Sequence, residues 1–303
     1  MIRNVLRILA PAGGSLRSLT DRYQVYGNVC LNIDDVSFNI YSEADDLIAS
    51  ELYYGSDYET SEFKLVKALT QNASLFADVG ANTGLFSLFA AKANPNLKVI
   101  SYEPHPSNYS RLQKNISINN TNNISARELA VGDSESTIGF TIPADGRISA
   151  TSSANHGFSK NFHAVAHKEI SVKQTTLTNE LSGRITSRDL LKIDVEYYEL
   201  NVLKGAEDVI RQSRPFVMIE VLEYERLVEQ FPSMKGLIDA DHARRIQDFF
   251  RALDYHPYAL HPTGILNVSS VSDPHPSRNF LFIGGPPVTG MIPFDKLTSP
   301  EKI

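Results

Sequence analysis

The stretch Ser74–Gly84, SLFADVGANTG, joins a short apolar run ending in a carboxylate to a turn that contains two glycines. Three other apolar runs also end in an acid: KVISYE at 98–103, LLKID at 190–194 and FVMIE at 216–220. Runs of this length, separated by helix-like stretches, are typical of buried parallel strands in an α/β sheet. Ligands of such sheets bind outside the carboxyl ends of the strands.

The acids at these strand ends indicate what kind of ligand is bound. A crevice lined by carboxylates attracts positive charge, accepts hydrogen bonds from ribose hydroxyls and repels phosphates. S-adenosylmethionine carries a sulfonium, an ammonium and a ribose. It therefore fits the predicted crevice better than NAD or ATP does.

The turn after the first run, DVGANTG, is expected to hold this cofactor. Glycine allows a tight turn and close packing of the following helix. The turn is neither the dinucleotide pattern G-x-G-x-x-G nor a Walker loop. Its first acid is expected to face the methionine ammonium. The cofactor-binding residues predicted here are Asp78, Gly80, Ala81, Asn82 and Gly84.

A second cofactor contact is predicted at the end of the next apolar run. Glu103 lies 25 residues beyond Asp78 and is followed by Pro104. An acid at that place characteristically accepts hydrogen bonds from ribose hydroxyls. Glu103 and Pro104 therefore join the predicted cofactor site.

Composition limits the remaining classes of function. The chain has 303 residues, of which 42% are hydrophobic and 21% charged, and its net charge of -6 argues against nucleic acid as the main partner. Cys30 is the only cysteine, which excludes an intrachain disulfide and a cysteine-based zinc site and favours a reducing, cytoplasmic setting. No run approaches the roughly 18 apolar residues of a membrane-spanning helix.

Three parts are predicted along the chain: an N-terminal extension at 1–57, a main α/β domain at 58–285 and a tail at 286–303. The extension combines a short helix with a β-hairpin, because residues 28–33 and 36–41 alternate between apolar and polar. In the main domain a strand is expected over 124–131. Strands and loops inserted at 132–170 interrupt the rhythm of strand, turn and helix.

Several motifs together resemble the FkbM family of S-adenosylmethionine-dependent methyltransferases, over roughly residues 58–285. The residues that carry the resemblance are Asp78-Val79-Gly80-Ala81-Asn82-Thr83-Gly84, Tyr102-Glu103-Pro104-His105-Pro106 with Asn108, Leu112 and Asn115, and Lys192-Ile193-Asp194-Val195-Glu196 with Glu199, Val202, Leu203 and Gly205-Ala206. The resemblance implies a class I methyltransferase, Rossmann-like fold. Its seven-stranded sheet is mostly parallel, with helices on both faces and an antiparallel last strand. The resemblance also implies O-methylation of a hydroxyl on a sugar, a glycan or a polyketide-type natural product.

Two residues depart from the family pattern. Tyr197 stands where the run Lys-Ile-Asp-Val-Glu usually continues with glycine, and Thr178 stands where an aspartate is common. We expect Tyr197 to narrow the pocket beside Asp194 and Glu196 with an aromatic wall. The second departure removes any role that rests on the aspartate.

Asp194 and Glu196 are the predicted catalytic residues, and Asp194 is also expected to contact the cofactor. They lie two residues apart, on one face of a strand that leaves the sheet. Glu220 ends the next strand and is expected near the same crevice. One of these carboxylates can remove the acceptor's proton, or a pair can hold Mg²⁺ that lowers the acceptor's pKa. No residue is assigned as a metal ligand. Lys192 is expected to pair with Asp194.

Two other functions stay open from the sequence. One is a catalytically degenerate methyltransferase-fold binding protein, to which Tyr197 lends support. The other is a dinucleotide-dependent oxidoreductase or epimerase, which the missing G-x-G-x-x-G pattern disfavours. The partner predicted for the first reading is a small-molecule or glycan hydroxyl acceptor, and the oligomeric state stays open.

Overall fold

The computed structural model describes residues 24–162, 166–273 and 275–298. The strands in these residues are β1 (Tyr26–Ile33), β2 (Val36–Glu43), β3 (Leu75–Val79), β4 (Lys98–Tyr102), β5 (Ile124–Arg127), β6 (Ala130–Val131), β7 (Ser136–Pro143), β8 (His167–Thr175), β9 (Leu190–Ile193), β10 (Phe216–Glu220), β11 (Tyr255–His261), β12 (Gly264–Asn267), β13 (Asn279–Gly284) and β14 (Met291–Pro293). The α-helices are α1 (Leu47–Tyr53), α2 (Thr60–Thr70), α3 (Leu85–Ala93), α4 (Pro106–Asn119), α5 (His156–Phe162), α6 (Leu177–Leu181), α7 (Glu199–Ser213), α8 (Tyr224–Gln230) and α9 (His242–Ala252).

The largest sheet has nine strands in the order β5-β4-β3-β9-β10-β13-β11-β12-β14. The first five are parallel to one another, whereas β13 lies antiparallel between β10 and β11. The strands from β5 to β11 therefore form the predicted seven-stranded sheet with its antiparallel last strand, which confirms the fold class. The sheet has two strands more than the seven predicted. The additional strands are β12 and β14, which pair beyond β11 and extend that edge.

Both faces of this sheet are covered. The inner strands are buried along nearly their whole length, the pattern expected of strands that pack on two sides. Successive side chains alternate between two cores. Phe76 and Leu190 pack with the hairpin β1–β2 and with α2 and α3. Ala77 and Leu191 pack with α6, α7 and α9 on the opposite face.

The predicted hairpin is formed by β1 and β2. Two asparagines of α4 complete the hydrogen bonding of the free edge of β2. Asn119 accepts from the N–H of Asn39 at 2.8 Å and donates to its carbonyl at 2.6 Å, and Asn115 accepts from the N–H of Tyr41 at 2.8 Å. Because these bonds satisfy backbone groups of an edge strand, they fix the hairpin to the main body.

The inserted segment builds a second sheet, of three strands in the order β6-β8-β7. The prediction of one strand over 124–131 was wrong. The chain leaves the large sheet after Arg127, and Ala130 and Val131 pair with β8 of the small sheet instead. This switch places the small sheet beside the carboxyl ends of β3 and β4.

The ends of the chain differ from the sequence analysis in one respect. The segment predicted as a tail contributes β14 to the large sheet, followed by a short 3-10 helix at Phe294–Lys296. The predicted N-terminal helix lies outside the described residues. None of the helices within the described ranges has the length and apolar character needed to cross a membrane.

Candidate active site

The glycine turn lies between β3 and α3, at the carboxyl edge of the sheet. Gly80 and Gly84 have left-handed backbones, with φ of +81° and +94°. A Cβ atom on Gly80 would lie 1.7 Å from the carbonyl oxygen of Asp194, the first residue after β9. Only a residue without a side chain permits this approach. Gly80 thus brings the turn against the end of β9, while Gly84 gives room to Leu112 of α4.

Glu103 connects the turn to the loop after β4. Its two oxygens each accept a hydrogen bond at 2.8 Å, from the N–H groups of Asn82 and His105. Burial raises the pKa of Glu103 to about 7, although these two bonds act in the opposite direction. A carboxylate has about four acceptor positions, so Glu103 keeps capacity for further donors beside Pro104.

Asp78 lies beneath the turn, in an internal ion pair. Its side chain is 1% exposed, its Oδ2 accepts from Ser87 Oγ at 2.5 Å, and its Oδ1 lies 4.0 Å from Nζ of Lys192. Within the described residues, Oδ1 of Asp78 has no hydrogen-bond partner. The charge nearest to Asp78 is Lys192, and the predicted contact of Asp78 with an ammonium group stays a prediction.

Lys192 joins this buried pair to the exit of β9. It donates to Oδ2 of Asp194 at 2.9 Å, which confirms the predicted salt bridge. Burial disfavours the charged lysine, but the charges of Asp194 and Asp78 outweigh that effect and raise the pKa of Lys192. Asp194 is thus held in place while its side chain stays 25% exposed.

Three carboxylates meet at the ends of β9 and β10. Asp194, Glu196 and Glu220 each place an oxygen within 4.8 Å of the others. Burial, and then the charge of Asp194, raises the pKa values of Glu196 and Glu220 well above the ordinary range. The structure therefore brings the two predicted catalytic residues together with Glu220, as the adjacent ends of β9 and β10 suggest.

Glu59, just before α2, is a fourth carboxylate, which sequence reasoning missed. Burial, and then the charge of Asp194, raises its pKa to about 8. Its left-handed backbone, with φ of 48°, costs about 1–2 kcal/mol in a residue other than glycine, and such strain is often kept at functional sites. A glutamate before a helix is common in any protein, so the sequence carries no signal of this role. Asp194, Glu196, Glu220 and Glu59 are hereafter the carboxylate cluster.

A small apolar cavity of about 20 Å³ adjoins the glycine turn. Gly80 and Pro104, both predicted site residues, lie on its wall. Most of the remaining wall comes from the small sheet, which includes β6, and from the residues after β9. It includes Val131, Phe140 and Tyr198.

Tyr197 points away from the carboxylate cluster. Its ring is 3% exposed and stacks on Phe158 of α5 and on His242 of α9, with centroid distances of 5.8 and 4.1 Å. Its hydroxyl donates to the carbonyl of Asp239 at 2.7 Å. The prediction that Tyr197 narrows the pocket was wrong, because a left-handed backbone with φ of 70° turns this side chain toward α5 and α9.

The site thus combines an apolar cavity, a glycine turn and a group of acids with few counter-charges. The acids can attract a cationic ligand, and those whose pKa is raised can accept a proton near neutral pH. The three carboxylates at the strand ends are also close enough to chelate a divalent cation through oxygen ligands.

Comparisons with known proteins point to one group of enzymes. A family model described as the methyltransferase FkbM domain matches residues 78–257. "Methyltransferase 1" of Beauveria bassiana (strain ARSEF 2860) is 24% identical over 205 residues, covering 63% of this chain and 74% of the relative. "Methyltransferase sdnD" of Sordaria araneosa is 26% identical over 200 residues, covering 57% and 77%.

One solved structure similar to the chain is a methyltransferase FkbM from Methylobacillus flagellatus KT, with 14% identity and a TM-score of 0.41. The similarity covers 78% of this chain and 54% of the other, so the chain spans about half the length of that protein.

Proposed function

Because the chain belongs to the FkbM methyltransferase family, we propose that it transfers a methyl group from S-adenosylmethionine to a hydroxyl of a sugar, a glycan or a polyketide-type natural product. The observation that carries the choice of a hydroxyl is the carboxylate cluster at the strand ends. An aliphatic hydroxyl is barely ionised at neutral pH, so its methylation needs a group that takes the proton. Carboxylates with raised pKa values suit that task.

The residues present fit S-adenosylmethionine, the cofactor expected of this family. The apolar side chains beside Gly80 and Pro104 suit the face of an adenine ring, and Glu103 has acceptor capacity for ribose hydroxyls. The carboxylate cluster supplies the negative charge that a sulfonium and an ammonium need. When bound, the cofactor supplies a methyl group already activated on sulfur.

The chain's own task is then to align the acceptor and to take its proton. We assign the proton to a carboxylate oxygen of Glu196, since its raised pKa makes it a stronger base than an ordinary glutamate. Glu220 lies beside it and can share that proton. Asp194, held by Lys192, directs negative charge toward the cofactor side of the crevice.

Activation of the hydroxyl by Mg²⁺ held between two cluster carboxylates is the alternative mechanism. Extensive dialysis against EDTA distinguishes the two. Under the proton-acceptor mechanism the treated protein keeps its rate. A rate that falls and returns on adding Mg²⁺ would instead assign the carboxylates to a metal.

Calorimetric titration with S-adenosylhomocysteine, with NAD and ATP as controls, tests the cofactor. We expect micromolar binding of S-adenosylhomocysteine alone. Methyl transfer from labelled S-adenosylmethionine to a panel of glycan and polyketide hydroxyls then tests the acceptor class. A folded protein that does not bind S-adenosylhomocysteine contradicts the proposal.

Binding without transfer to any hydroxyl would favour the degenerate binding protein. The feature that gave weight to that reading was Tyr197. Because its ring lies outside the crevice, the residue does not obstruct the carboxylate cluster.

A further inference from the structure

The loop that carries Glu196 has an unusual backbone. Glu196 and Tyr197 are both left-handed, with φ of 56° and 70°. Residues other than glycine seldom adopt this conformation, and two in succession persist only where surrounding contacts fix them. The contacts that fix this loop therefore determine where the carboxylate of Glu196 lies.

One set of contacts comes from α7 and α9. Oε1 of Glu199 accepts hydrogen bonds from the N–H groups of Val195 and Tyr197, at 3.4 and 3.1 Å. Its Oε2 lies 2.7 Å from Nε2 of His242. Glu199 and His242 are 2% and 3% exposed, so this network is shielded from water.

The opposite set comes from the inserted segment. Ser153 Oγ donates to the carbonyl of Glu196 at 2.7 Å and approaches that of Val195 at 3.3 Å. Asn155 Nδ2 donates to the carbonyl of Tyr197 at 3.2 Å. The loop is thus held by acceptors on one side and by donors on the other.

The ring of Tyr197 joins the two sides. It lies between Phe158, which follows the donors Ser153 and Asn155, and His242, which contacts Glu199. The planes of the stacked rings differ by 13° and 18°, respectively. One side chain therefore connects the inserted segment, the loop and α9.

We propose that Tyr197 is a positioning residue. It holds Glu196 in the carboxylate cluster and docks residues Ser153–Phe158 of the inserted segment onto the site. A glycine at this position would accept the same backbone conformation but would not fix it. The role of Glu196 as proton acceptor rests on the proposed function. The contact itself is tested without cofactor or acceptor.

The test compares three variants of the full chain. Tyr197→Gly removes the ring and keeps a backbone that tolerates φ of 70°. Tyr197→Phe removes only the hydroxyl bond to Asp239. Tyr255→Phe is the matched control, because Tyr255 is also a buried tyrosine, whose hydroxyl donates to the carbonyl of Pro215 at 2.9 Å.

Two measurements report on the loop. Carboxyl NMR of protein labelled with ¹³C-glutamate gives the titration of Glu196, assigned by its loss in Glu196→Gln. Two kinds of charged group face Glu196. The carboxylates Asp194, Glu199 and Glu220 raise its pKa, whereas the cations Arg278 and Lys192 lower it. Hydrogen exchange of the amides of Val195 and Tyr197 reports whether their bonds to Glu199 persist.

In Tyr197→Gly we expect the Glu196 titration to move at least about one pH unit toward the ordinary glutamate value. We also expect exchange at the two amides to accelerate about tenfold or more. Tyr197→Phe should keep the titration, and Tyr255→Phe should change neither signal. A merely structural role would lower stability without moving the titration.

Wild-type titration and exchange in Tyr197→Gly would overturn the proposal. If that variant does not fold, Phe158→Leu carries the test, since it removes one stacked ring and keeps apolar bulk. An unchanged Glu196 titration in Phe158→Leu would overturn the proposal equally. If the wild type fails to bind S-adenosylhomocysteine, the proposed function is contradicted. The titration and exchange measurements still test the positioning of Glu196 by Tyr197, because they use neither cofactor nor acceptor.

Discussion

A methyl group added to Gly80 would meet the carbonyl of Asp194 at 1.7 Å, on a backbone with φ of +81°. Gly27 in the hairpin is a matched control, with φ of +83° and nothing within 4 Å of its added Cβ. We expect Gly27→Ala to cost about 1 kcal/mol of unfolding free energy from strain alone. Gly80→Ala should cost more and should weaken S-adenosylhomocysteine binding at least tenfold, because the clash separates the turn from β9. Denaturant unfolding measures the stability of the two variants, and calorimetry measures their affinity for S-adenosylhomocysteine. Equal losses in Gly27→Ala and Gly80→Ala would contradict this prediction.

Glu196→Gln tests the proton acceptor. Glutamine keeps the shape of the side chain but cannot take the proton, so we expect turnover to fall about 10²- to 10⁴-fold. Stability should hold or rise, because one of several crowded carboxylates is neutralised. The wild-type rate should increase with pH through the raised pKa of Glu196, since the ionised form is active. Glu207→Gln, an exposed acid paired with Arg211, is the control. A variant that turns over like the control would exclude Glu196 as the base.

For single residues, the sequence predicts a contact correctly where the position of the residues along a strand alone determines it. Strand alternation predicts that Lys192 and Asp194 share a face, and they are 2.9 Å apart. It fails where a backbone angle decides, as for Tyr197, whose φ of 70° reverses the direction expected for its ring. It also does not identify a charge partner on a distant element, as for Asp78, whose Oδ1 lies 4.0 Å from Nζ of Lys192 on β9.

Among the elements, α4 couples the hairpin to the glycine turn. Asn115 and Asn119 both bond to β2, but only Asn115 also donates to the carbonyl of Thr83 in the turn, at 2.8 Å. We expect each change to alanine to cost about 1–3 kcal/mol of unfolding free energy, because buried backbone groups lose partners. Asn115→Ala should additionally weaken S-adenosylhomocysteine binding, whereas Asn119→Ala should not. Denaturant unfolding and calorimetry measure both effects, and equal affinities in the two variants would contradict the coupling.

The predictability of the elements follows the strength of their patterns. The parallel strands β3, β4, β9 and β10 are short apolar runs bounded by turns, and the sequence locates all four. β12 and β14 have four and three residues at the edge of the sheet, too few for a period to appear. The boundary between β5 and β6 was missed because both are compatible with one extended run, and only pairing with β8 separates them.

On the scale of the whole molecule, the site collects side chains from across the chain. Glu59 precedes α2, Glu103 follows β4, and Glu196 and Glu220 come from the exits of β9 and β10. The hairpin is part of the same core, since Phe38 and Ile40 pack with Phe63 and Phe76. The hairpin, which belongs to the N-terminal extension predicted at 1–57, thus packs against α2, the helix that Glu59 directly precedes.

Crowding of acids at this site has a consequence for stability. The pKa of Glu59 is raised from 4.5 to about 8, and that of Glu103 from 4.5 to about 7, both chiefly by burial. The folded protein therefore binds more protons than the unfolded chain between these values. The stability that protonation gives is complete below pH 4.5 and is lost as pH rises through about 7 to 8.

Glutamine mimics the protonated form of Glu59. We therefore expect the free energy of unfolding of Glu59→Gln to fall less steeply with rising pH than that of the wild type. The variant should match the wild type near pH 5 and exceed it near pH 8.5 by about 1–2 kcal/mol, less than the full shift implies because Glu59 is partly exposed. Urea unfolding at the two pH values measures the difference, with the exposed Glu207→Gln as control. A Glu59→Gln variant that loses stability in parallel with the wild type would show that Glu59 is ionised without cost, and its place in the carboxylate cluster would have to be abandoned.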